Sequence, residues 1–310
     1  MAVKTSFSAD ELRSILLGYD IGDYVSSQGF DRGNDQTNIR INTSNGAYAF
    51  RYYEKRPADY VRFEIGLLHF LGSKSYPCPA PIERKDGSYF GLHNGKIYAL
   101  FSFLDGKHDD HPTNYRLVAP ALARLHNLTH GQKLEFSDAR THYGVDYARS
   151  SAEANAKDMT DQTEAQKRLT WFKAELETID IPDNLPKGVC HCDTNPSNFL
   201  YKDGQISAVL DFDQSTYTWL IYDLAQMIYW WTWPNEGQLQ VEEAKDLVSR
   251  YETVRKLSKD EKQHLFDVLK LVHLQGIGWG LGEGSFPNDK RKVVELIELG
   301  LDTFYKSVFG

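Results

Sequence analysis

Between Cys190 and Asp223 the chain reads CHCDTNPSNFLYKDGQISAVLDFDQSTYTWLIYD. An apolar, β-prone lead-in closes at His191, and Asp193 and Asn198 follow within seven residues. Asp203-Gly204, set between Asn198-Phe199-Leu200-Tyr201 and Ile206-Ser207-Ala208-Val209-Leu210, is a hairpin turn signal. The hairpin predicts that Asp211 returns close to Asn198, although thirteen residues separate them. An Asp, an Asn and a second Asp around one hollow suit phosphoryl transfer to a hydroxyl. One carboxylate takes the proton of the attacking hydroxyl, while an amide oxygen and the other carboxylate hold Mg2+ on the phosphates. Asp and Asn also collect at strand ends and turns for local hydrogen-bonding reasons. The spacing and the hairpin, rather than the residue types, therefore carry this reading.

The elements that must position these residues can be read on either side. Ser8, three residues before Glu11 and ahead of Leu12, Ile15 and Leu16, is a capping box opening a short helix that stops near Gly18. Tyr24 to Phe30, Gln36 to Asn42 and Ala47 to Tyr53 alternate as strands, with Asn45-Gly46 as a turn. Between the first two, the stretch from Gly29 through Gly33 to Asn38 is rich in glycine and small polar residues. It could offer backbone N–H groups to phosphates, though it lacks a full GxGxxG. Pro57 opens a helix to about Leu71, with Val61, Ile65, Leu68 and Leu71 at helical spacing and Glu64 on it. Tyr76-Pro77-Cys78-Pro79-Ala80-Pro81 gives an extended connector. Strands at Ile82 to Glu83, Tyr89 to Leu92 and Ile97 to Phe103 follow, the last running into Leu104-Asp105-Gly106. Beyond Gly106 the pattern is mostly helical: Asn114 to Leu128, one or two helices in Asp146 to Thr178, an aromatic helix from Leu220 to Trp233, and closing helices from Val241 to Phe309.

Composition narrows the function classes. A chain of 310 residues can bury a sizeable core, and its 41% apolar and 25% charged fractions are ordinary for a globular protein. A net charge of −8 argues against nucleic acid, which wants a basic stripe. No apolar stretch opens the sequence and no run reaches membrane-spanning length, so neither a signal peptide nor a membrane span is expected. Cys190 and Cys192 flank His191, but adjacent residues of an extended chain point to alternate faces, and no second ligand pair with zinc spacing occurs. The three cysteines suit a reducing, cytoplasmic setting. A homodimer is compatible with the sequence, which does not indicate one.

The H-x-D-x-x-x-x-N run, followed by a strand ending in Asp, resembles the catalytic loop and metal-binding Asp of the protein-kinase-like superfamily. Within it the stretch is similar to the aminoglycoside phosphotransferase and choline kinase family, through Leu210-Asp211-Phe212 and Asp223-Leu224-Ala225. Type II homoserine kinases look closest, through Trp219 to Ala225, Tyr53-Glu54-Lys55-Arg56 and the Pro-rich connector. The resemblance implies an α+β, protein-kinase-like bilobal fold, with residues 1–105 as an antiparallel sheet plus helix covering ATP. Residues 106–310 would form a mostly helical lobe carrying the catalytic loop and acceptor site.

The resemblance also implies roles. Asp193 is the catalytic base, and Asn198 and Asp211 hold Mg2+. Arg51 stands where the family carries a phosphate-gripping Lys, a departure that keeps a bidentate cation, and Glu64 braces it. Phe101 to Leu104, with Phe103, becomes an adenine-binding hinge. His191 and Asp223 shape the loop, and His126, where the family has a similar helix-end His, is structural, while Asp213 faces metal or a substrate amine, or takes a solvent-facing or capping role. The implied activity is an ATP- and Mg-dependent kinase of a small hydroxyl acceptor, most like homoserine. Choline or ethanolamine is the alternative that Trp230, Trp231, Trp233 and Trp279 would favour as a cation–π cage, followed by aminoglycosides. A non-catalytic nucleotide-binding pseudokinase is the alternative of another class, against which the intact Asp193, Asn198 and Asp211 argue.

Overall fold

The computed structural model describes residues 5–30, 36–234 and 237–310. They divide into two compact units that interleave along the chain. One holds the described residues up to His108, with Leu134–Arg140 and Phe199–Asp213. The other holds Asp109–Lys133, Thr141–Asn198 and Gln214–Gly310.

Helix α1 (Ala9–Leu16) begins at the capping box: Glu11 N–H donates to Ser8 Oγ at 3.2 Å and Ser8 N–H to Glu11 Oε2 at 2.8 Å. Strands β1 (Tyr24–Gly29), β2 (Thr37–Thr43) and β3 (Gly46–Tyr52) follow, with Ser44 and Asn45 at the β2–β3 turn. Period-two alternation sets β2: Thr37, Ile39, Ile41 and Thr43 face inward. Helix α2 (Ala58–Ser73) starts directly after Pro57, whose missing N–H costs nothing there, and buries Val61, Ile65, Leu68 and Leu71 together with Glu64. Strands β4 (Gly91–His93) and β5 (Lys96–Ser102) complete an antiparallel sheet of order β1-β2-β3-β5-β4. Leu12, Leu16, Ile41, Phe50 and Leu100 form its core against α1.

Two expected strands change. Ile82 to Glu83 is not a strand: Pro81 makes an isolated bridge to Phe101, flanked by Ile82 N–H donating to Leu100 O and Ser102 N–H donating to Ala80 O, both at 2.8 Å. Pro79 and Pro81 have no N–H to extend a ladder. The strand expected from Tyr89 begins at Gly91, where a Cβ would lie 2.3 Å from the Tyr98 ring.

In chain order the second unit opens with α3 (Tyr115–Thr129), α4 (Val145–Asp158), α5 (Gln162–Leu176) and β6 (Lys187–Cys190). The chain then forms the hairpin β7 (Phe199–Lys202) and β8 (Gln205–Val209), which belongs to the first unit and pairs Phe199 with Val209. Asp203 and Gly204 both take positive φ, 51° and 71°, as the tightest hairpin turn demands. Tyr201 and Lys107 exchange backbone hydrogen bonds of 2.9 Å, tying the hairpin to the chain after β5. Strand β9 (Thr216–Trp219) pairs antiparallel with β6, and the sequence reading does not contain it. The remaining helices are α6 (Ile221–Trp231), α7 (Val241–Glu252), α8 (Lys259–Trp279), α9 (Phe286–Leu299) and α10 (Leu301–Phe309). The last two are separated by Gly300 at φ 75°. No helix among the described residues is long and apolar enough to cross a membrane.

Candidate active site

The loop after β6 in the second unit is held from behind by one buried carboxylate. Asp223, in the first turn of α6, accepts His191 N–H at 2.7 Å on Oδ2 and Cys192 N–H at 2.8 Å on Oδ1. His126 of α3 meets Oδ2 through Nε2 at 3.0 Å, and its Nδ1 lies 2.6 Å from Tyr251 Oη. With Asp223 able only to accept, the ring is assigned as Nε2–H, and Nδ1 receives the Tyr251 hydroxyl. Arg255 donates to Tyr251 Oη at 3.2 Å and to Glu261 at 2.7 Å, extending the network to α8. Each member is buried, so each depends on the next for its hydrogen bonds. His126, Cys190 and Asp223 stand close enough together for a metal cluster. The histidine and carboxylate are committed to hydrogen bonds, and burial pushes the Cys190 thiol well up, away from the thiolate a metal needs.

This support fixes a strained turn. Cys192 has φ 62°, a conformation costly for a residue with a side chain, and it delivers Asp193 to the front of the loop. Asp193 N–H donates to His191 Nδ1 at 3.2 Å. Asn198 Nδ2 donates to Asp193 O at 2.9 Å and to Asp193 Oδ2 at 2.8 Å. Asn195 Nδ2 reaches Asp193 Oδ1 at 3.3 Å, so the carboxylate is oriented on both oxygens. Because both amide bonds of Asn198 run through nitrogen, its oxygen remains as a hard donor atom. Further along, Thr194 N–H meets Gln226 Oε1 at 3.3 Å and Trp231 Nε1–H meets Thr194 O at 2.9 Å.

The first unit holds the remaining expected residues. Arg51 on β3 donates through Nη1 to Glu64 Oε1 of α2 at 2.6 Å and through Nη2 to Asp211 Oδ1 at 3.1 Å. Burial pushes the Glu64 carboxyl up, Arg51 pulls it down, and Asp213 and Asp211 push it further up. Burial works against the Arg51 charge too, but Glu64 and Asp211 hold it firmly protonated. Among the described residues, Arg51 Nε makes no hydrogen bond. Asp211 sits just past β8 at φ 60°, a left-handed position that turns a half-exposed carboxylate out of the strand line. Carboxylate and amide oxygens are the donors magnesium takes, so Asp211 and the Asn198 oxygen fit that ion chemically.

Asn38 lies opposite Arg51 across β2 and β3, which puts the two side chains on one face of the sheet. Gly29 ends β1 opposite Ile39 in ordinary extended backbone, and Gly33 lies outside the described residues. Phe101 is buried in β5 opposite Ala49. Phe103 follows the strand, with the Arg40 guanidinium 4.3 Å from its ring centroid and the Phe30 ring parallel to it at 6.4 Å.

Asp213 is neither solvent-facing nor a helix cap. Its Oδ2 accepts Nε and Nη2 of Arg56, the former at 3.1 Å, and its backbone oxygen accepts from Arg140. Arg140 also donates to Tyr60 O at 3.1 Å and stacks 3.5 Å over the Tyr60 ring. Sequence reasoning gave neither arginine a role. Arg56 lies in a stretch read only as a family marker, and Arg140 follows a segment with no periodic pattern. The tryptophans do not form one exposed set: Trp231 and Trp233 are buried, whereas Trp230 and Trp279 are exposed.

Comparisons with known proteins show the family and the fold. Residues 26–257 match the model of the phosphotransferase enzyme family. Homoserine kinase of Sinorhizobium fredii is 33% identical over 84% of this chain and 80% of its own length. The homoserine kinase of Sinorhizobium medicae is 32% identical over 86% and 81%. Among solved structures, a microcompartment-associated aminopropanol kinase superposes with a TM-score of 0.62 at 14% identity, covering 96% of this chain and 99% of that one. The antiparallel sheet with its helix and the mostly helical remainder are thus the protein-kinase-like fold that the sequence implies. The chain belongs to the phosphotransferase enzyme family and is a small-molecule kinase.

Proposed function

We propose that the chain transfers the γ-phosphoryl group of ATP, with magnesium, to the side-chain hydroxyl of homoserine. The observation that carries this reading is the double hold of Asn198 on Asp193, which fixes the carboxylate through Oδ2 at 2.8 Å and through its own backbone oxygen at 2.9 Å. A carboxylate so oriented can accept the acceptor's proton and aim its oxygen in line with the γ-phosphorus. Homoserine follows from relatives of that name that match this chain over most of its length.

Asn198, through its amide oxygen, and Asp211 would hold magnesium. Magnesium held there would supply the positive charge that offsets the charge developing on the transferred phosphoryl group. Arg51 would grip the phosphates bidentately, its position set by Glu64. Asp223 and His191 act only through the backbone of the loop. Asp213, engaged with Arg56 and Arg140, would position those arginines rather than meet the substrate amine. The buried, unbridged Cys78, Cys190 and Cys192 are compatible with a cytoplasmic setting.

A coupled ADP-release assay over L-homoserine, choline, ethanolamine and a set of aminoglycosides tests this. The reading requires the highest kcat/KM with homoserine. A higher value with any other acceptor displaces homoserine. Binding of Mg-ATP with no transfer to any alcohol would make the chain a pseudokinase.

A further inference from the structure

Lys292 of α9 is almost wholly buried, at 2% exposure. Among the described residues its ammonium makes one hydrogen bond, to Trp233 O at 3.3 Å, and no ion pair. Around it lie Tyr229, whose ring centroid is 5.3 Å from Lys292 Nζ, and His273 of α8. The His273 ring stands edge-on between Tyr229 at 4.7 Å and Trp233 at 4.6 Å. Among the described residues, His273 Nε2 and Trp233 Nε1 are both buried without a hydrogen-bond partner. Burial, with Lys292 adding to it, lowers the His273 pKa to about 3, so the ring is neutral at physiological pH. Burial lowers the Lys292 pKa, and Asp289, in the first turn of α9, opposes this through space without pairing with it.

The cluster is therefore rich in donors and poor in acceptors. An ammonium has three N–H groups, an indole only a donor, and a neutral imidazole one N–H beside one acceptor nitrogen. One carbonyl oxygen does not satisfy them, and an unpaired ammonium in an apolar interior is costly. What complements such a set is an anion with several acceptor oxygens. The cluster is also tied to the catalytic loop: Trp231, two residues before Trp233, holds Thr194 O, next to Asp193.

We propose that Lys292, with Trp233 Nε1 and His273 Nε2, binds the α-carboxylate of the acceptor and makes the enzyme selective for amino-acid alcohols over plain amino alcohols. This rests on homoserine as the acceptor. A site built to pair a carboxylate discriminates against the analogue lacking it, because its own buried donors are then left unpaired.

The test compares L-homoserine with 3-amino-1-propanol, the same molecule without its carboxylate, using full-length enzyme. Wild type should prefer homoserine by roughly 100-fold or more in kcat/KM. Lys292→Met, which keeps length and removes the charge, should reduce that preference about 50-fold, chiefly through the KM for homoserine. Trp233→Phe, which keeps a ring and removes the N–H, should reduce it about fivefold. If Lys292 merely caps the end of α6, both acceptors decline together and the preference stands, which overturns the inference. Equal use of the two acceptors by wild type overturns it as well, while leaving homoserine as a substrate. No turnover of homoserine by wild type overturns the acceptor assignment and this site with it.

Discussion

Arg51 Nη1 lies 2.6 Å from Glu64 Oε1, joining the third strand of the sheet to the helix behind it in a buried ion pair. The pair is demanding rather than simply stabilising. Arg51 is only 16% exposed and Glu64 1%, so either charge left alone would be poorly solvated.

Glu64→Gln should therefore loosen Arg51 without removing it. The KM for ATP is expected to rise about tenfold and the thermal midpoint to fall by several degrees, consistent with losing a charge-assisted buried bond. Initial rates against ATP, with thermal unfolding of the same preparation, measure both. An unchanged KM would show that the pair has no part in nucleotide binding.

Asp223→Asn replaces an acceptor with a group that must turn one N–H toward the amides of His191 and Cys192. A loss of about 2–4 kcal/mol in stability is expected from the conflict. The turnover number should drop at least tenfold with little change in the KM for ATP, because the loop carrying Asp193 loses its hold. Equal losses in kcat and ATP binding would instead indicate general unfolding.

Acid should act through Glu54. Burial opposes its ionisation, but Lys96 at 2.7 Å, Thr37 at 2.7 Å and Thr5 overcome this and lower its pKa from 4.5 to about 2. The folded pKa is below the unfolded one, so its contribution is full above about pH 4.5 and is lost as pH falls toward 2. Glu54→Gln should cost about 1–3 kcal/mol at neutral pH and flatten the fall in thermal midpoint between pH 4.5 and 2. Parallel pH curves for the two proteins would exclude Glu54 as the source.

Gly188 of β6 marks where the strand presses on α3. A Cβ there would lie 2.7 Å from Thr129 O and 2.8 Å from Leu220 Cδ2. Gly188→Ala should destabilise by about 1–3 kcal/mol through overpacking, read as a lower urea midpoint with an unchanged slope. An unchanged midpoint would mean that the strand moves aside freely.

The elements that can be read in the sequence are those whose cause is local. Ser8 and Ser258 with Glu11 and Glu261 announce helix starts, and Asp203-Gly204 announces the hairpin that pairs Phe199 with Val209. The catalytic-loop spacing is equally local, which is why Asp193 and Asn198 could be named together. Strand β9 was not legible, because its four residues take their form from pairing with β6, far back in the chain. The partners of Asp213 were hidden for the same reason: Arg56 and Arg140 reach it across 157 and 73 positions. The Lys292 cluster, assembled from three helices and a loop, leaves no sequence pattern at all.

The most direct test of the central claim is Asp193→Asn, which keeps the shape of the side chain and an oxygen for Asn198 Nδ2 while removing the proton acceptor. With homoserine and Mg-ATP, kcat is predicted to fall about 10³-fold while nucleotide affinity measured by calorimetry stays within about twofold. A kcat within tenfold of wild type would contradict the assignment of Asp193 as the base that activates the acceptor hydroxyl.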